Sequence, residues 1–376
     1  MVSEGVAPGR KCYGKAEVSE RNVPRRRVTI ADIALRAGVS KGAVSYALND
    51  RPGISDTTRR RILEIADELG WLPNIAARTL SGSKANSCGL VIARPARTLA
   101  YEPFFMGLIA GIEAELSARS IALTLQVVDD ISSEMAVHRR WWAERRVDGV
   151  LVVDVRLNDP RIDHLETIGL PAVILGGPEG TGKSSAVWTD DAGTCIELVR
   201  YLARLGHRRI ARVAGLPDFL HTSIRSHAFS AVMSELSLEA LEVTTDFLAE
   251  SGAQATRQLL SHPSPPTAII YDNDVLAVAG LGAAHEMGLS VPAEVSLIAW
   301  DDSPYCQVVH PALTAVARDN LGYGARAVVA LLSLIDGGAI VRKAEPSGKL
   351  WPRASTGPPP GKISFGRALP VQRGST

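Results

Sequence analysis

The stretch 29-TIADIALRAGVSKGAVSYALN-49 predicts two short helices joined by a tight turn. Thr29 is a suitable N-cap for the first helix, and Gly38 supplies the left-handed residue that commonly ends a helix. Ser40 is a suitable N-cap for a second helix that begins only two residues later. Two capped helices separated by a short turn with glycine form the helix-turn-helix motif, so we predict that motif here.

The second predicted helix has an apolar side and a small, polar side. Its apolar residues can pack on the first helix, whereas Lys41, Gly42, Ser45 and Tyr46 face away. In a helix-turn-helix the second helix enters the major groove of DNA, and a plain three-helix bundle does not explain the polar side. We therefore expect DNA contacts from the following residues: Thr29, Ser40, Lys41, Gly42, Ser45, Tyr46 and Asn49.

A third helical pattern begins near Ser55 and continues the same small domain. Three consecutive arginines in its first turns are expected on or near DNA phosphates. Its predicted core stripe consists of Ile62, Leu63, Ile65, Ala66 and Leu69.

Charge is distributed unevenly along the 376 residues, although the formal net charge is only +1. Residues 1–84 contain 15 Lys and Arg against 9 Asp and Glu, whereas the remainder contains 26 against 31. A basic head on an acidic body suggests that the head meets a polyanion. Alternatively, the excess of basic residues belongs to a tail that is merely solvated and binds no partner.

From Cys88 onward the sequence alternates between apolar strand-like runs and amphipathic helix-length segments. The predicted strands are 88–93, 121–128, 148–154, 171–176, 209–215, 267–274 and 295–302. The predicted helices include 105–118, 132–146, 192–205, 223–237, 252–261 and 275–288. Continuous apolar strands that alternate with helices are typical of parallel α/β folds. Because nearly 270 residues with this pattern are too many for a single sheet, we predict two α/β lobes.

Cysteine spacing and hydropathy favour a cytoplasmic protein. The four cysteines are scattered without disulfide or metal-ligand spacing, as in a reducing compartment. The first 25 residues lack the apolar segment of a signal peptide, and no apolar run approaches the roughly 18 residues that cross a bilayer. We expect no membrane segment, no metal and no cofactor.

The run 177-GPEGTGKS-184 matches the phosphate-loop pattern G-x-x-x-x-G-K-[ST]. A phosphate loop leads directly into a helix, whose N–H groups face the phosphates. Here 186-AVWTDD-191 favours extended structure instead, and the next helical pattern begins only near Asp191. We therefore expect no enzyme, and a nucleotide-binding enzyme using Lys183 and Ser184 is the alternative.

Several ordered motifs together resemble the lactose-repressor (LacI) family of bacterial transcription regulators. In the head these are 28-VTIADIALRAGVSKGAVSYALN-49 and 71-WLPNIAARTLSG-82. In the body they are 187-VWTDDAG-193, 205-LGHRRIARVAG-215, 222-TSIRSHAF-229, 267-TAIIYDNDVLAVAGL-281, 292-PAEVSLIAWDD-302, 311-PALTAV-316 and 353-RASTGPP-359. The resemblance covers roughly residues 28–359.

The resemblance implies an all-α head and a hinge helix, followed by two parallel α/β lobes of the periplasmic-binding-protein type. The implied divisions are a disordered tail at 1–26, a helix-turn-helix domain at 27–73, a hinge helix and linker at 74–85, an effector-binding and dimerisation domain at 86–357, and a mobile tail at 358–376. Lobe 1 would comprise about 86–188 and 318–346, and lobe 2 about 189–317 and 347–357.

By resemblance, residues from about Asn74 to Leu80 form a short hinge helix on the operator. Leu80 would wedge between base pairs, and Ala77 would allow the hinge helices of two subunits to approach closely. An apolar wedge costs a few kcal/mol of unstacking but bends the duplex toward more contact. Alternatively, Leu80 is an ordinary linker residue.

The resemblance also implies a small effector, a sugar or a nucleoside-like compound, between the lobes. Asn273 and Asp301 follow predicted strands, where open α/β sheets place ligand contacts. By resemblance Arg225 and Asp301 bind polar groups, Phe104, Phe105 and Phe247 offer ring faces, and His221 is an additional candidate. An aromatic core with structurally paired Asp and Arg is the alternative, and at least one of Phe104 and Phe105 is expected in the core.

Several positions depart from the family pattern. Arg318 stands where many members have glutamine, and Gly176 lacks an acidic side chain that some sugar sensors use. Gly42 has no side chain to read bases, and Tyr46 replaces a common arginine. The sequence thus predicts a homodimeric repressor of a near-palindromic double-stranded operator, without identifying the effector. A cytosolic solute-binding protein is the remaining alternative.

Overall fold

The computed structural model describes residues 28–71 and 84–361. The chain forms two compact units, Met1–Arg78 and Thr79–Thr376. The predicted hinge residues Asn74, Ala77 and Leu80 lie outside the described residues. No helix within the described ranges is both long enough and apolar enough to cross a membrane.

The first unit contains the predicted helix-turn-helix. Its helices are α1 (Ile30–Ala37), α2 (Lys41–Leu48) and α3 (Asp56–Glu68). Gly38 ends α1 in the left-handed region, at φ +65°. The Ser40 hydroxyl then accepts a hydrogen bond from the Ala43 N–H at 3.1 Å and caps α2, as predicted.

A small apolar core holds the three helices of the first unit together. Ile33 of α1, Val44 of α2 and Ile62 of α3 are fully buried against one another. Burying one such side chain stabilises a fold by roughly 1.5–3 kcal/mol. Leu63 was predicted in this core but is 44% exposed, because the buried stripe of α3 passes through Ile62 and Ala66.

The second unit contains two six-stranded sheets. The strands are β1 (Ser87–Ala93), β2 (Ala122–Val128), β3 (Gly149–Val152), β4 (Ala172–Leu175), β5 (Ser185–Thr189), β6 (Arg209–Ala214), β7 (Glu239–Thr244), β8 (Ala268–Tyr271), β9 (Ser296–Trp300), β10 (Thr314–Ala317), β11 (Arg342–Glu345) and β12 (Lys349–Trp351). The strand orders are β11-β5-β4-β3-β1-β2 and β12-β10-β9-β8-β6-β7. All pairings are parallel except that of β10 with β12.

Helices cover both faces of each sheet. They are α4 (Ala96–Tyr101), α5 (Pro103–Ser117), α6 (Ile131–Ala143), α7 (Pro160–Ile168), α8 (Asp191–Leu205), α9 (Leu220–Glu235), α10 (Ala249–Leu260), α11 (Asp274–Glu286), α12 (Pro304–Val308) and α13 (Asn320–Ile335). The strands β3, β4, β8 and β9 are buried along their whole length, which is why they read as continuous apolar runs. The predicted parallel α/β fold is confirmed.

The chain passes from one sheet to the other three times. It leaves the first sheet after β5, since α8 packs against the core of the second sheet. It returns after β10, since α13 packs on α5 and the first sheet. It crosses again between β11 and β12. The carboxyl ends of strands from both sheets therefore meet along one cleft.

The loop that matches the phosphate-loop pattern joins β4 to β5. Ser185 already pairs with Val173 of β4, directly after Ser184. Lys183 is exposed, and the next helix begins only at Asp191. The backbone geometry of a phosphate loop, with Lys and Ser in the first turn of a helix, does not occur at Lys183 and Ser184.

Candidate functional site

The outer face of α2 presents the residues expected to contact DNA. Lys41, Gly42 and Tyr46 are exposed, and Ser45 is half-buried. A Cβ added at Gly42 would meet only Ser40 Oγ, at 3.7 Å. Since packing does not require glycine there, the bare backbone leaves room for a partner to approach the helix closely.

Two of the expected DNA contacts have structural roles at helix ends. The backbone N–H and the hydroxyl of Thr29 both donate to Asp32, at 2.8 and 2.7 Å. The Asn49 side chain donates to the Ser45 carbonyl at 2.9 Å and so holds the end of α2. These contacts fix the two ends of the motif.

The three arginines of α3 differ in their surroundings. Arg60 and Arg61 are exposed, as expected of phosphate contacts. Arg59 instead donates to the carbonyls of Tyr46 and Arg51, at 3.2 and 2.7 Å, with its side chain only 18% exposed. It therefore ties α3 to the end of α2 and to the following loop, and our expectation of a phosphate contact at Arg59 is not supported.

The cleft between the two sheets encloses about 760 Å³, including its open mouth. Its walls come from the carboxyl ends of strands, the region where open parallel sheets bind ligands. The structure brings six of the expected effector contacts together there: Phe104, His221, Arg225, Phe247, Asn273 and Asp301. Phe105 does not line the cleft, because its ring is fully buried in the apolar core beneath α5.

Arg225 is held by both a carboxylate and an aromatic ring. Its Nε and Nη2 donate to Asp191 Oδ1 at 2.9 and 2.7 Å, and its Nη1 donates to the Asp272 carbonyl at 3.1 Å. The guanidinium lies 3.8 Å from the ring centre of Trp300. A planar group fixed on both sides in this way offers a rigid polar surface to a ligand.

Asp301 belongs to a second fixed ion pair of the cleft. Arg318 Nε and Nη2 donate to its two carboxylate oxygens at 2.9 and 2.6 Å. Asp301 directly follows β9 and has a backbone φ of +70°, which residues other than glycine rarely adopt. Arg318 also stacks over Phe104, at 5.3 Å, so the departure from glutamine at 318 creates a new charged pair within the cleft.

The rings of His221 and Phe247 line one wall of the cleft, 6.0 Å apart. Both pack on the buried Phe219, which does not itself line the cleft, at 5.5 and 6.2 Å. Burial, with Arg225 close by, holds the pKa of His221 well below its ordinary value, so the imidazole is neutral at neutral pH. Arg94 lies 4.4 Å from the ring centre of Phe219 and completes the wall.

Asn273 both begins a helix and faces the cleft. Its Oδ1 accepts from the Leu276 N–H at 2.8 Å and caps α11. Its Nδ2 is buried and has no hydrogen-bond partner among the described residues. Since buried amide donors are normally satisfied, this atom is suited to a ligand acceptor.

The prediction missed several charged residues of the cleft, chiefly Arg94, Glu102, Asp154 and Asp191. Arg94 and Asp154 follow β1 and β3, so the strand-end rule that singled out Asp301 would also have found them. Glu102 lies between α4 and α5, away from any strand end, and carries no comparable signal.

Comparisons with known proteins agree with this geometry. The model for bacterial regulatory proteins of the lacI family matches residues 29–74, and that for a periplasmic binding protein-like domain matches residues 199–356. The HTH-type transcriptional regulator CelR of Thermobifida fusca is 31% identical over 300 residues, which cover 78% of this chain and 87% of CelR. This chain belongs to the LacI family of bacterial regulatory proteins.

Solved structures of LacI-family proteins have a similar fold. One is a CelR–cellobiose complex, with 28% identity, a TM-score of 0.67, and coverage of 88% of this chain and 100% of that chain. Another is the lac repressor dimer bound to operator and the anti-inducer ONPF, with 25% identity, a TM-score of 0.78 and the same coverage. As a LacI-family member with a complete helix-turn-helix, the chain is a DNA-binding transcription regulator.

Proposed function

We propose that this regulator is a repressor whose affinity for operator DNA is controlled by a sugar or nucleoside-like effector bound in the cleft. Polar and aromatic side chains from both sheets, chiefly Arg225, Asp301, Phe104 and Phe247, converge on one cleft in a chain that also contains a capped helix-turn-helix. Small-molecule sites commonly combine a few fixed polar groups with aromatic walls.

The effector contacts in this proposal are Phe104, His221, Arg225, Phe247, Asn273 and Asp301. Arg225 and Asp301 offer fixed donors and acceptors to hydroxyl groups, while the rings pack on the apolar face of a sugar or base. Because the lobes are joined by three crossing segments, a ligand that contacts both can change how they close. We propose the following division of the chain: the helix-turn-helix domain at 27–73, the hinge helix and linker at 74–85, and the two lobes within 86–357.

On the DNA side the exposed face of α2 supplies the contacts. Lys41 is suited to a guanine O6/N7 contact in the major groove, and Ser40, Ser45 and Tyr46 lie on or beside the same face. Thr29 and Asn49 hold the ends of the motif, and Gly42 permits close approach. We further propose a homodimer in the cytoplasm, with two heads on a near-palindromic operator and Leu80 of each hinge inserted at its centre.

Selection of random duplex DNA on the full-length protein tests this function. Salt must be fixed near physiological strength, because phosphate contacts dominate non-specific affinity. A palindromic motif should be enriched, and one class of sugar or nucleoside should then change the affinity for it. A Lys41→Ala variant should lose the enriched motif, whereas Lys183→Ala should keep it. Absence of enrichment with and without pooled effectors would contradict the proposal.

A further inference from the structure

The charges that line the cleft are balanced in pairs. Every arginine that lines it, and every aspartate, has an oppositely charged partner within hydrogen-bond distance. The pairs are Arg94–Asp154, Arg225–Asp191, Arg318–Asp301 and Arg212–Asp272, with N–O distances of 2.7, 2.7, 2.6 and 2.6 Å. Among the described residues that line the cleft, no cation is therefore left uncommitted to neutralise an acidic ligand.

Glu102 is the carboxylate in excess of these pairs. It is only 8% exposed, and its Oε2 has no hydrogen-bond partner within the described part of the chain. The nearest cationic atom is Arg94 Nη1, at 3.9 Å, which is too far for a hydrogen bond. Arg94 directs its Nε to Asp154 instead, and its Nη1 is also without a hydrogen bond there.

We infer that the effector is an uncharged sugar, and that Glu102 excludes acidic sugars and sugar phosphates from the cleft. The inference rests on the proposed function and narrows its ligand class. An acidic ligand would meet the Glu102 carboxylate without gaining a free cation, because each arginine is already paired. Charge juxtaposition of this kind is a common way for a site to reject a close analogue.

A hydroxyl group is suited to the unsatisfied atoms beside Glu102. An oxygen placed about 2.8 Å from each atom would accept from Arg94 Nη1 and donate to Glu102 Oε2. Asn273 Nδ2 offers a further unsatisfied donor to the cleft. Since unsatisfied buried polar atoms are costly, a ligand hydroxyl that reaches them is favoured over an apolar group.

The test uses matched pairs of neutral and acidic sugars: glucose with glucuronate and with glucose 6-phosphate, galactose with galacturonate, and cellobiose with cellobionate. Binding to the full-length protein is measured by calorimetry at about pH 8, where free carboxyl groups are ionised. The neutral member of at least one pair should bind, and its acidic counterpart should bind at least about tenfold more weakly. Equal or tighter binding of an acidic member would overturn the inference.

The Glu102→Gln variant tests the assigned residue. In this variant the neutral and the acidic sugar of that pair should differ in affinity by about threefold or less, since the amide removes the charge and keeps an acceptor. Glu113→Gln is the matched control, because Glu113 is exposed on α5 and does not line the cleft. If the affinity difference in Glu102→Gln equalled that of the wild type, Glu102 would not be the residue that excludes acidic sugars. If that variant fails to fold, the wild-type pairs decide alone.

The proposed function can fail separately from this inference. If no sugar of any pair binds while DNA selection yields an operator, the ligand class is contradicted and DNA binding stands. If DNA selection fails while a neutral sugar binds selectively, the inference stands without the regulatory role.

Discussion

At the scale of single residues, the cleft depends on buried polar groups and on one close approach of backbone to ring. Phe247 lies in the left-handed region, at φ +68°, and packs directly over Gly215. A Cβ added at Gly215 would lie 1.8 Å from Phe247 Cζ, far inside van der Waals contact. The aromatic wall therefore requires glycine at the end of β6.

Gly215→Ala should displace the Phe247 ring, weaken binding of the effector and lower the free energy of unfolding by roughly 1–3 kcal/mol. Gly282→Ala is the matched control, because Gly282 is exposed on α11 and an added Cβ meets nothing within 4 Å. That control should raise stability by roughly 0.5–1 kcal/mol, as expected for alanine in a helix. Urea denaturation of both variants checks the contrast; equal stabilities would contradict the packing at Gly215.

Glu102 should also make the stability of the protein depend on pH. Burial raises the pKa of its carboxyl from the ordinary value of 4.5 to about 7. Between these two values the folded state binds the proton more tightly than the unfolded state does. The Glu102 contribution to the free energy of unfolding is therefore intact below about pH 4.5 and is lost as the pH rises through about 7.

Glu102→Gln should accordingly gain stability over the wild type as the pH rises from about 5 to 8, on the order of 2–3 kcal/mol. Glu134, whose pKa burial also raises to about 7, remains in both proteins and cancels in the difference. Melting temperatures across this range, with Glu113→Gln as control, provide the measurement. A difference that stays constant with pH would show that burial does not raise the pKa of Glu102 in the folded protein.

At the scale of elements, caps and strand ends explain what could be predicted. Thr29, Gly38 and Ser40 define α1 and α2 by local chemistry alone, so the motif was readable from sequence. Strand ends likewise placed Asn273 and Asp301 in the cleft. The sequence could not place Phe105, because adjacent Phe104 and Phe105 are equally apolar and only the packing of α5 decides which ring faces the core.

Arg59 is a second residue whose structural role could not be predicted from the sequence. Three adjacent arginines look alike, yet the turn of α3 points only Arg59 toward the carbonyls that end α2. Arg59→Ala should lower the stability of the helix-turn-helix by roughly 1–2 kcal/mol, because the carbonyls lose a charged donor. Arg60→Ala should leave the stability of the helix-turn-helix nearly unchanged. Hydrogen exchange of α2 and α3 amides in the full chain measures this stability. Equal protection of these amides in both variants would contradict the role of Arg59.

At the scale of the whole molecule, the proposed regulation requires thermodynamic coupling between the cleft and the DNA-binding face. Two parallel sheets joined by three crossing segments can bind a ligand between them and respond by closing. If the ligand prefers one closure, operator affinity changes with it, typically by 1–3 kcal/mol or about 5- to 150-fold. Neither the sheets nor the head alone requires this coupling, so it must be measured on the intact protein.

The most direct measurement is the affinity of the full-length protein for its selected operator, with and without the neutral sugar that binds best. We expect this affinity to change by at least about fivefold in the wild type. We expect little change in Arg225→Lys at the same sugar concentration, since lysine cannot reproduce the contacts to Asp191, Asp272 and Trp300. Arg200→Lys, on the exposed face of α8, should respond as the wild type does. An operator affinity that is identical with and without a sugar shown to occupy the cleft would contradict the account.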